Sequence, residues 1–126
     1  MKMRTEFIKF TQSLSYSFCK IVKGEIPSTK VYEDKEVLAF KDINPEAPVH
    51  LIIIPKKHIT SLNELKPEDS EIISHIFMVI QKLVKDFKID ENGYRIVNNC
   101  GEHGGQSVPH MHFHLLGGRS LNWPPG

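Results

Sequence analysis

The chain has 126 residues, a formal net charge of +1 and a hydrophobic fraction of 40%, which predict one globular domain with one core. Its 16 basic and 15 acidic residues lack the basic excess of a dedicated nucleic-acid binder, and no apolar run approaches the roughly 18 residues of a membrane span. The two cysteines, Cys19 and Cys100, form no C-x-x-C pair, which indicates a reducing, cytoplasmic location.

The first half of the chain predicts a short helix followed by three strands. Residues 18–22 are compatible with a helix that ends near a glycine. Lys30–Glu33 and Glu36–Lys41 flank Asp34-Lys35 and predict a hairpin. The nearly continuous apolar run Val49–Pro55 predicts a central strand.

The second half predicts one long helix and two further strands. Pro67-Glu68-Asp69 opens the helix, because proline suits a first turn and acidic residues there complement the helix dipole. Apolar residues then recur at helical spacing to about residue 88. Tyr94–Asn98 predicts a strand after the Asn92-Gly93 turn. A last strand is expected to end at Gly117-Gly118. Together these helices and strands predict an α+β fold whose strands form an antiparallel meander.

Three histidines stand at alternate positions near the C-terminus, in His110-Met111-His112-Phe113-His114. In a strand, alternate side chains share a face, so the segment predicts three imidazoles on one face and apolar side chains on the other. Such a row can be structural, can ligate a metal together with His50, or can act in nucleophilic catalysis. The histidines alone do not decide between metal ligation and catalysis.

The loop before these histidines contains Gly101, Gly104 and Gly105. Its backbone N–H groups can form an anion nest, and Ser107 can add a hydroxyl donor. A phosphate cradle beside a row of imidazoles is the arrangement that phosphoryl or nucleotidyl transfer requires. His103, in the middle of the loop, is expected to be solvated.

The run from Gly104 to Arg119, with its His-φ-His-φ-His-φ-φ pattern, resembles the signature of the histidine triad (HIT) superfamily. The ending Trp123-Pro124-Pro125-Gly126 is similar to the Hint branch of that superfamily, as are the segments from Phe40 to His50 and from Ile54 to Ile59. The resemblance implies a HIT-like fold: a five-stranded antiparallel sheet with one long helix and a short N-terminal helix. It covers residues 18–126 as the HIT domain and leaves residues 1–17 as an N-terminal extension.

The resemblance also implies an activity. It indicates a purine nucleoside phosphoramidase or nucleotide hydrolase, which cleaves AMP joined to an amine, or aminoacyl-adenylates, through a nucleotidyl-histidine intermediate. The alternatives are a dinucleoside polyphosphate hydrolase or nucleotidyl transferase of the same superfamily, a non-catalytic nucleotide-binding module, and a metal-binding protein. The implied assembly is a homodimer in which two sheets join, with neither nucleic acid nor membrane as a partner.

Roles for individual residues follow from the same resemblance. His112 would be the nucleophile and His110 would flank it, while His114, His50 and Ser107 would lie near the phosphate or the leaving group. The nucleotide-binding residues would be Asp42 at the ribose hydroxyls, Phe18, Ile21 and Ile43 around the base, and Asn99, Gly105, Gln106 and Ser107 at the phosphate.

Many bacterial relatives hold a structural zinc partly with a C-x-x-C pair near the N-terminus. The corresponding segment here is Tyr16-Ser17-Phe18-Cys19, with one cysteine. We therefore expect no metal site and no cofactor.

Overall fold

The computed structural model describes residues 18–126, so the predicted extension, residues 1–17, lies outside the described residues. One antiparallel sheet of five strands organises the fold, and a short helix, α1, covers residues 18–22. The strands are β1 (Lys30–Glu33), β2 (Val37–Lys41), β3 (Val49–Pro55), β4 (Tyr94–Val97) and β5 (Phe113–Gly117). The predicted fold class is confirmed.

The strand order in the sheet is β1-β2-β3-β5-β4, so the predicted meander is wrong. The first three strands do follow one another, but the connection from β3 to β4 passes through the long helix and reaches the far edge of the sheet. The last strand then fills the place between them, with Ile53 opposite Phe113 on one side and Val97 opposite His114 on the other. The histidine segment therefore leads into the interior of the sheet.

The long helix, α2 (Ser70–Asp86), follows a 3-10 turn at Pro67–Asp69. Its inner face buries Ile76, Val79, Ile80, Leu83 and Val84, as the apolar spacing predicts. The helix ends two residues before the predicted limit, where Lys88 has a φ of 57°. Such a left-handed residue is common after a helix C-terminus and stops the helical hydrogen-bond ladder. No helix among the described residues is long and apolar enough to cross a membrane.

Alternation along the strands divides the core between the two faces of the sheet. One face packs against α2 and includes Leu51, Ile53, Met111, Phe113 and Leu115. The opposite face packs against α1, through a smaller cluster that contains Phe18, Ile21, Leu38, Phe40, Ile52, Ile54 and Val108. The imidazoles lie on this second face, under the short N-terminal helix.

The β1–β2 hairpin is joined to α2 by one carboxylate. Asp34 accepts hydrogen bonds from the Tyr32 hydroxyl, from His75 Nε2 on the helix, and from the backbone N–H groups of Glu36 and Val37. Burial alone would raise the pKa of Asp34, but these hydrogen bonds together hold it well below its usual value. His75 is thus a structural residue.

Candidate active site

The three triad histidines share one face, although only His114 lies within β5. His110 and His112 precede the strand, which begins at Phe113; the prediction that all three lie in one strand is wrong in extent. The neighbouring strand ends at Val97, so no backbone ladder continues beyond that point on this side. Alternation nevertheless persists, because the ring centroids of His112 and His114 are 5.1 Å apart while Met111 and Phe113 face α2.

His112, at the centre of the triad, has one ring nitrogen held and the other free. Its Nδ1–H donates to the carbonyl oxygen of His110 at 2.7 Å, which places the proton on Nδ1 and leaves the Nε2 lone pair available. The side chain is 3% exposed, and burial lowers the pKa of His112. The unprotonated form, which a nucleophile requires, therefore prevails at neutral pH.

His110 is held by a second carbonyl. Its Nε2–H donates to Pro55 O at 3.0 Å, so its Nδ1 is unprotonated. The residue is fully buried, and burial lowers the pKa of His110 to about 4. The free Nδ1 faces the thiol of Cys19, with Sγ at 3.9 Å, and the ring packs edge-on against that of His58.

The third triad histidine forms a pair with His50. The backbone N–H of Glu46 donates to His50 Nδ1 at 3.0 Å, so the proton of neutral His50 must lie on Nε2. That atom is 2.8 Å from His114 Nδ1 and 3.3 Å from a carboxylate oxygen of Asp42. His114 therefore accepts on Nδ1 and carries its own proton on Nε2. Burial and the nearby His112 and His50 lower the pKa of His114 to about 4.

Within residues 18–126, two groups of side chains have the donor atoms and spacing of metal sites: Cys19, His58 and His110, and Asp42, His50 and His114. A histidine that binds a metal with one nitrogen usually donates an N–H from the other. His110 does this toward Pro55, whereas the second nitrogen of His50 accepts a hydrogen bond from a backbone N–H. The second group therefore forms a hydrogen-bonded relay, and the first has the arrangement of metal ligands.

The residues expected around the base differ in burial. Phe18 is 7% exposed, and its ring lies edge-on to that of His112 with centroids 5.4 Å apart. Ile21 lies in the same apolar cluster. Ile43 is 88% exposed and is not part of it. Asp42, next to Ile43, directs one carboxylate oxygen at the Asn44 N–H (2.8 Å) and the other at His50.

The residues expected at the phosphate lie in the loop between β4 and β5. The N–H groups of Gly105 and Gln106 donate to Glu102 O and Gly101 O, so both are engaged within the loop. The Gln106 side chain is engaged as well: its Nε2 donates to Thr60 O and Val108 O, and its Oε1 accepts from Gly101 N–H. Its amide thus shapes the loop. Asn99 and Ser107 are half-buried in this loop, and His103 is exposed, as expected.

Asn98 is a residue that the sequence reasoning missed. Its Nδ2 donates to the carbonyl oxygen of His112 at 2.9 Å, just beyond the last backbone pair between β4 and β5. Its Oδ1 is buried, with no hydrogen-bond partner among the described residues. Asn98 and Asn99 are adjacent and identical, so the sequence does not show that Asn98 supports the His112 backbone while Asn99 is the residue expected at the phosphate.

The chain is similar to known proteins over most of its length. Residues 15–122 match the family model described as the scavenger mRNA decapping enzyme C-terminal binding domain. An uncharacterized HIT-like protein of Buchnera aphidicola subsp. Baizongia pistaciae is 50% identical over 83% of this chain and 94% of its own. A 14 kDa zinc-binding protein of Zea mays is 52% identical over 86% of each chain.

Solved structures show the same likeness. A HIT family hydrolase from Legionella pneumophila Philadelphia 1 is 54% identical, with a TM-score of 0.85 over 86% of this chain and 97% of its own. A histidine triad nucleotide-binding protein from Candida albicans is 40% identical, with a TM-score of 0.73 over 85% of this chain and 81% of its own.

Proposed function

Because the chain belongs to the histidine triad (HIT) family, we propose that it is a hydrolase that cleaves the P–N bond of purine nucleoside phosphoramidates through a nucleotidyl-histidine intermediate. The observation that carries the proposal is the hydrogen bond from His112 Nδ1–H to His110 O. It fixes the tautomer of a buried imidazole and leaves its second nitrogen as a nucleophile. The hydrolase and nucleotide-binding neighbours support the same reaction class.

In the first step, His112 Nε2 attacks the α-phosphorus, a N–P bond forms, and the bond from phosphorus to the amine breaks. The departing amine takes a proton from the His50–His114 pair. The donor is the pair with one additional proton, which Asp42 and an anionic phosphate favour at His114. The amine takes the Nε2 proton of His114, on the side away from His50, and the pair is left neutral. In the second step, water attacks phosphorus, the N–P bond to His112 breaks, and the pair regains its proton from that water. The products are the nucleoside monophosphate and the amine.

The nucleotide is oriented by the elements around α1. The ring of Phe18, held edge-on to His112, gives the base an apolar wall together with Ile21, and the exposed Ile43 is available to cover the base from the other side. Asp42 has carboxylate lone pairs for the ribose hydroxyls. Asn99 and Ser107 bind the phosphate, and Gly105 lets its oxygens approach the backbone. The chemistry at phosphorus then needs no metal, because the imidazoles and the side chains of Asn99 and Ser107 stabilise the charge.

A fluorogenic adenosine phosphoramidate of an aromatic amine tests the proposal. We expect turnover that persists in a chelator, and a rate lower by several orders of magnitude in His112→Ala, as is usual when a catalytic nucleophile is removed. The matched control is His75→Gln, which changes a histidine outside the site. Acid quenching followed by mass spectrometry should show the nucleotidyl group on the peptide that contains His112.

The alternatives give different results in the same assay. Tight AMP binding without turnover would favour a binding module, and hydrolysis of dinucleoside polyphosphates in preference to phosphoramidates would favour the other superfamily activity. Full turnover by His112→Ala would overturn the mechanism.

We also propose that the protein is a homodimer. β4 is an edge strand whose second side has no partner strand in the part of the chain that the structure describes, and such an edge is a template for pairing. Tyr94 on this strand and Phe77 and Met78 on α2 are large apolar side chains that are 42%, 45% and 59% exposed. Light scattering is expected to give twice the 14.4 kDa chain mass, and Met78→Asp is expected to shift the mass toward the monomer. A monomer at micromolar concentration would contradict the proposal.

A further inference from the structure

Arg119 follows β5 and has no part in the reaction proposed above. Its side chain binds backbone oxygens: Nε and Nη2 donate to Glu46 O at 3.1 and 2.8 Å, and Nη1 donates to Ser120 O at 2.9 Å. A guanidinium presents its donors as a rigid planar fork and keeps its charge throughout the pH range of folded proteins. Arg119 therefore holds one carbonyl of the loop between β2 and β3 with two hydrogen bonds.

This loop, residues 42–48, carries the backbone group that sets the state of His50. The N–H of Glu46 donates to His50 Nδ1 at 3.0 Å, and the N–H of Asp42 donates to His50 O at 3.0 Å. Glu46 is thus held at both of its backbone groups, by Arg119 at its oxygen and by His50 at its N–H. Peptide groups are planar and rigid, so a shift of the Glu46 carbonyl also displaces the N–H on the other side of its Cα.

The chain comes close to the same loop just before Arg119. Gly118 has a φ of 91°, and a Cβ on it would lie 2.9 Å from Pro48 Cβ. A glycine meets both requirements, since it accepts a left-handed conformation and leaves room for the proline. Glu46 and Arg119 are exposed, whereas His50 is buried. A contact at the surface is therefore coupled to a buried catalytic imidazole.

The Glu46 N–H matters for where the catalytic proton lies. A ring nitrogen that accepts a hydrogen bond from an N–H has no proton of its own, so His50 Nδ1 stays unprotonated while Glu46 is in place. The additional proton of the His50–His114 pair then lies on the substrate side, where His114 Nε2 presents it to the leaving amine. Without the Glu46 N–H, the proton can move to His50 Nδ1, which faces the loop and not the substrate.

We propose that Arg119 is a positioning residue for proton transfer, which acts through Glu46 to keep His50 Nδ1 unprotonated and the catalytic proton at His114. The inference rests on the proposed function. Arg119 itself exchanges no proton: as the P–N bond breaks, the amine takes the Nε2 proton of His114. The role predicts that Arg119 affects only reactions whose leaving group needs that proton.

Two AMP substrates with different leaving groups test this role. An alkylamine leaves phosphorus only when it is protonated, whereas p-nitrophenolate leaves as an anion. Arg119→Gln is expected to lower kcat for the alkylamine phosphoramidate at least about tenfold, a part of the roughly 10²- to 10⁴-fold that general-acid catalysis contributes. The same variant should keep kcat for the p-nitrophenyl ester, and KM for both substrates, within about twofold.

Matched variants separate this role from a general effect on folding. Arg119→Lys keeps a cationic donor without the fork and should recover part of the lost rate. Arg95→Gln removes the same group from an arginine that donates to Asn122 O and should leave the ratio of the two rates unchanged. In a His50→Ala background, Arg119→Gln should change kcat by less than about twofold, because the effect passes through His50. Equal losses on the two substrates, or a full additional loss in the His50→Ala background, would overturn the proposal.

Nitrogen NMR of the histidine rings tests the same arrangement without a substrate. Wild-type His50 Nδ1 should show the chemical shift of an unprotonated ring nitrogen, and Arg119→Gln should move it toward the protonated value. Arg119→Lys provides the measurement if Arg119→Gln does not fold. An unchanged His50 signal would overturn the inference. If the wild type cleaved neither substrate, the proposed function would fail, while the spectra would still decide whether Arg119 holds the state of His50.

Discussion

Asn98 offers the sharpest test of how the nucleophile is held. Its Nδ2 supplies the hydrogen bond that the carbonyl of His112 lacks once β4 has ended. Asn98→Leu removes this donor with little change in volume. Asn98→Asp keeps the shape but replaces the donor with an anionic oxygen, about 2.9 Å from the carbonyl oxygen. The two variants therefore separate the loss of an attraction from the addition of a repulsion.

The magnitude follows from the contact. A hydrogen bond contributes about 0.5–1.5 kcal/mol net, and a buried carbonyl left without a donor costs about 1–3 kcal/mol. Because the site is only partly buried, we expect Asn98→Leu to cost about 1–2 kcal/mol. If this whole cost is added to the activation free energy, kcat falls about 5- to 30-fold. Asn98→Asp should lower kcat further, by about another tenfold.

Steady-state kinetics on the phosphoramidate, together with urea unfolding, give the answer. The effect should fall on kcat with KM nearly unchanged, because Asn98 contacts the backbone of the nucleophile and not the nucleotide. Asn92→Asp makes the same chemical change on an exposed turn and serves as the control. If Asn98→Asp kept kcat within about twofold of wild type, or changed KM alone, the reasoning would be refuted.

The remaining predictions concern the expected ribose contact, the loop between β4 and β5, and the β1–β2 hairpin. Asp42→Ala should raise KM more than it lowers kcat, because ribose contacts bind ground state and transition state alike; an unchanged KM would remove Asp42 from the site. Gln106→Glu should lower the free energy of unfolding by about 1–2 kcal/mol, seen as a melting temperature several degrees lower. If the only role of Gln106 were to contact the nucleotide, the stability of the free protein would not change. Asp34→Asn should destabilise the protein at pH 7, as measured by urea unfolding. Because the folded-state pKa of Asp34 lies below its unfolded value near 4, the stabilisation is present above about pH 4 and lost as the pH falls, so variant and wild type should converge at lower pH. A constant difference from pH 7 to pH 2 would contradict this.

Local patterns predicted most of the fold. The apolar run Val49–Pro55 and the spacing within α2 each reflect how one element meets the core, and both elements appear where expected. The order of the strands depends instead on where the long connection places β4. No residue between β3 and β4 encodes that choice locally, so the meander was a natural but wrong expectation.

The sequence predicted which residues belong to the candidate site better than it predicted which of them are in contact. Alternation placed three imidazoles on one face, and this holds even where His110 and His112 lie outside the strand. The relation between Cys19 and His58, which are 39 positions apart, depends on α1 packing over the sheet. The contacts of Gln106 were equally hidden: it was expected at the phosphate, and its amide is hydrogen-bonded to Gly101 N–H, Thr60 O and Val108 O.

The three histidines of the triad are chemically identical, and it is their backbone and histidine partners that separate their roles. His110 donates from Nε2 to Pro55 O and turns Nδ1 toward a thiol; His112 donates from Nδ1 to His110 O and keeps Nε2. His114 accepts from His50, whose own tautomer is set by a backbone N–H. The two neutral tautomers of one side chain thus give a nucleophile at His112, with its proton on Nδ1, and a proton carrier at His114, with its proton on Nε2. A change at Cys19 therefore reaches His112 through one residue, His110, whose carbonyl holds the nucleophile, and a change at His50 reaches it through one other residue, His114.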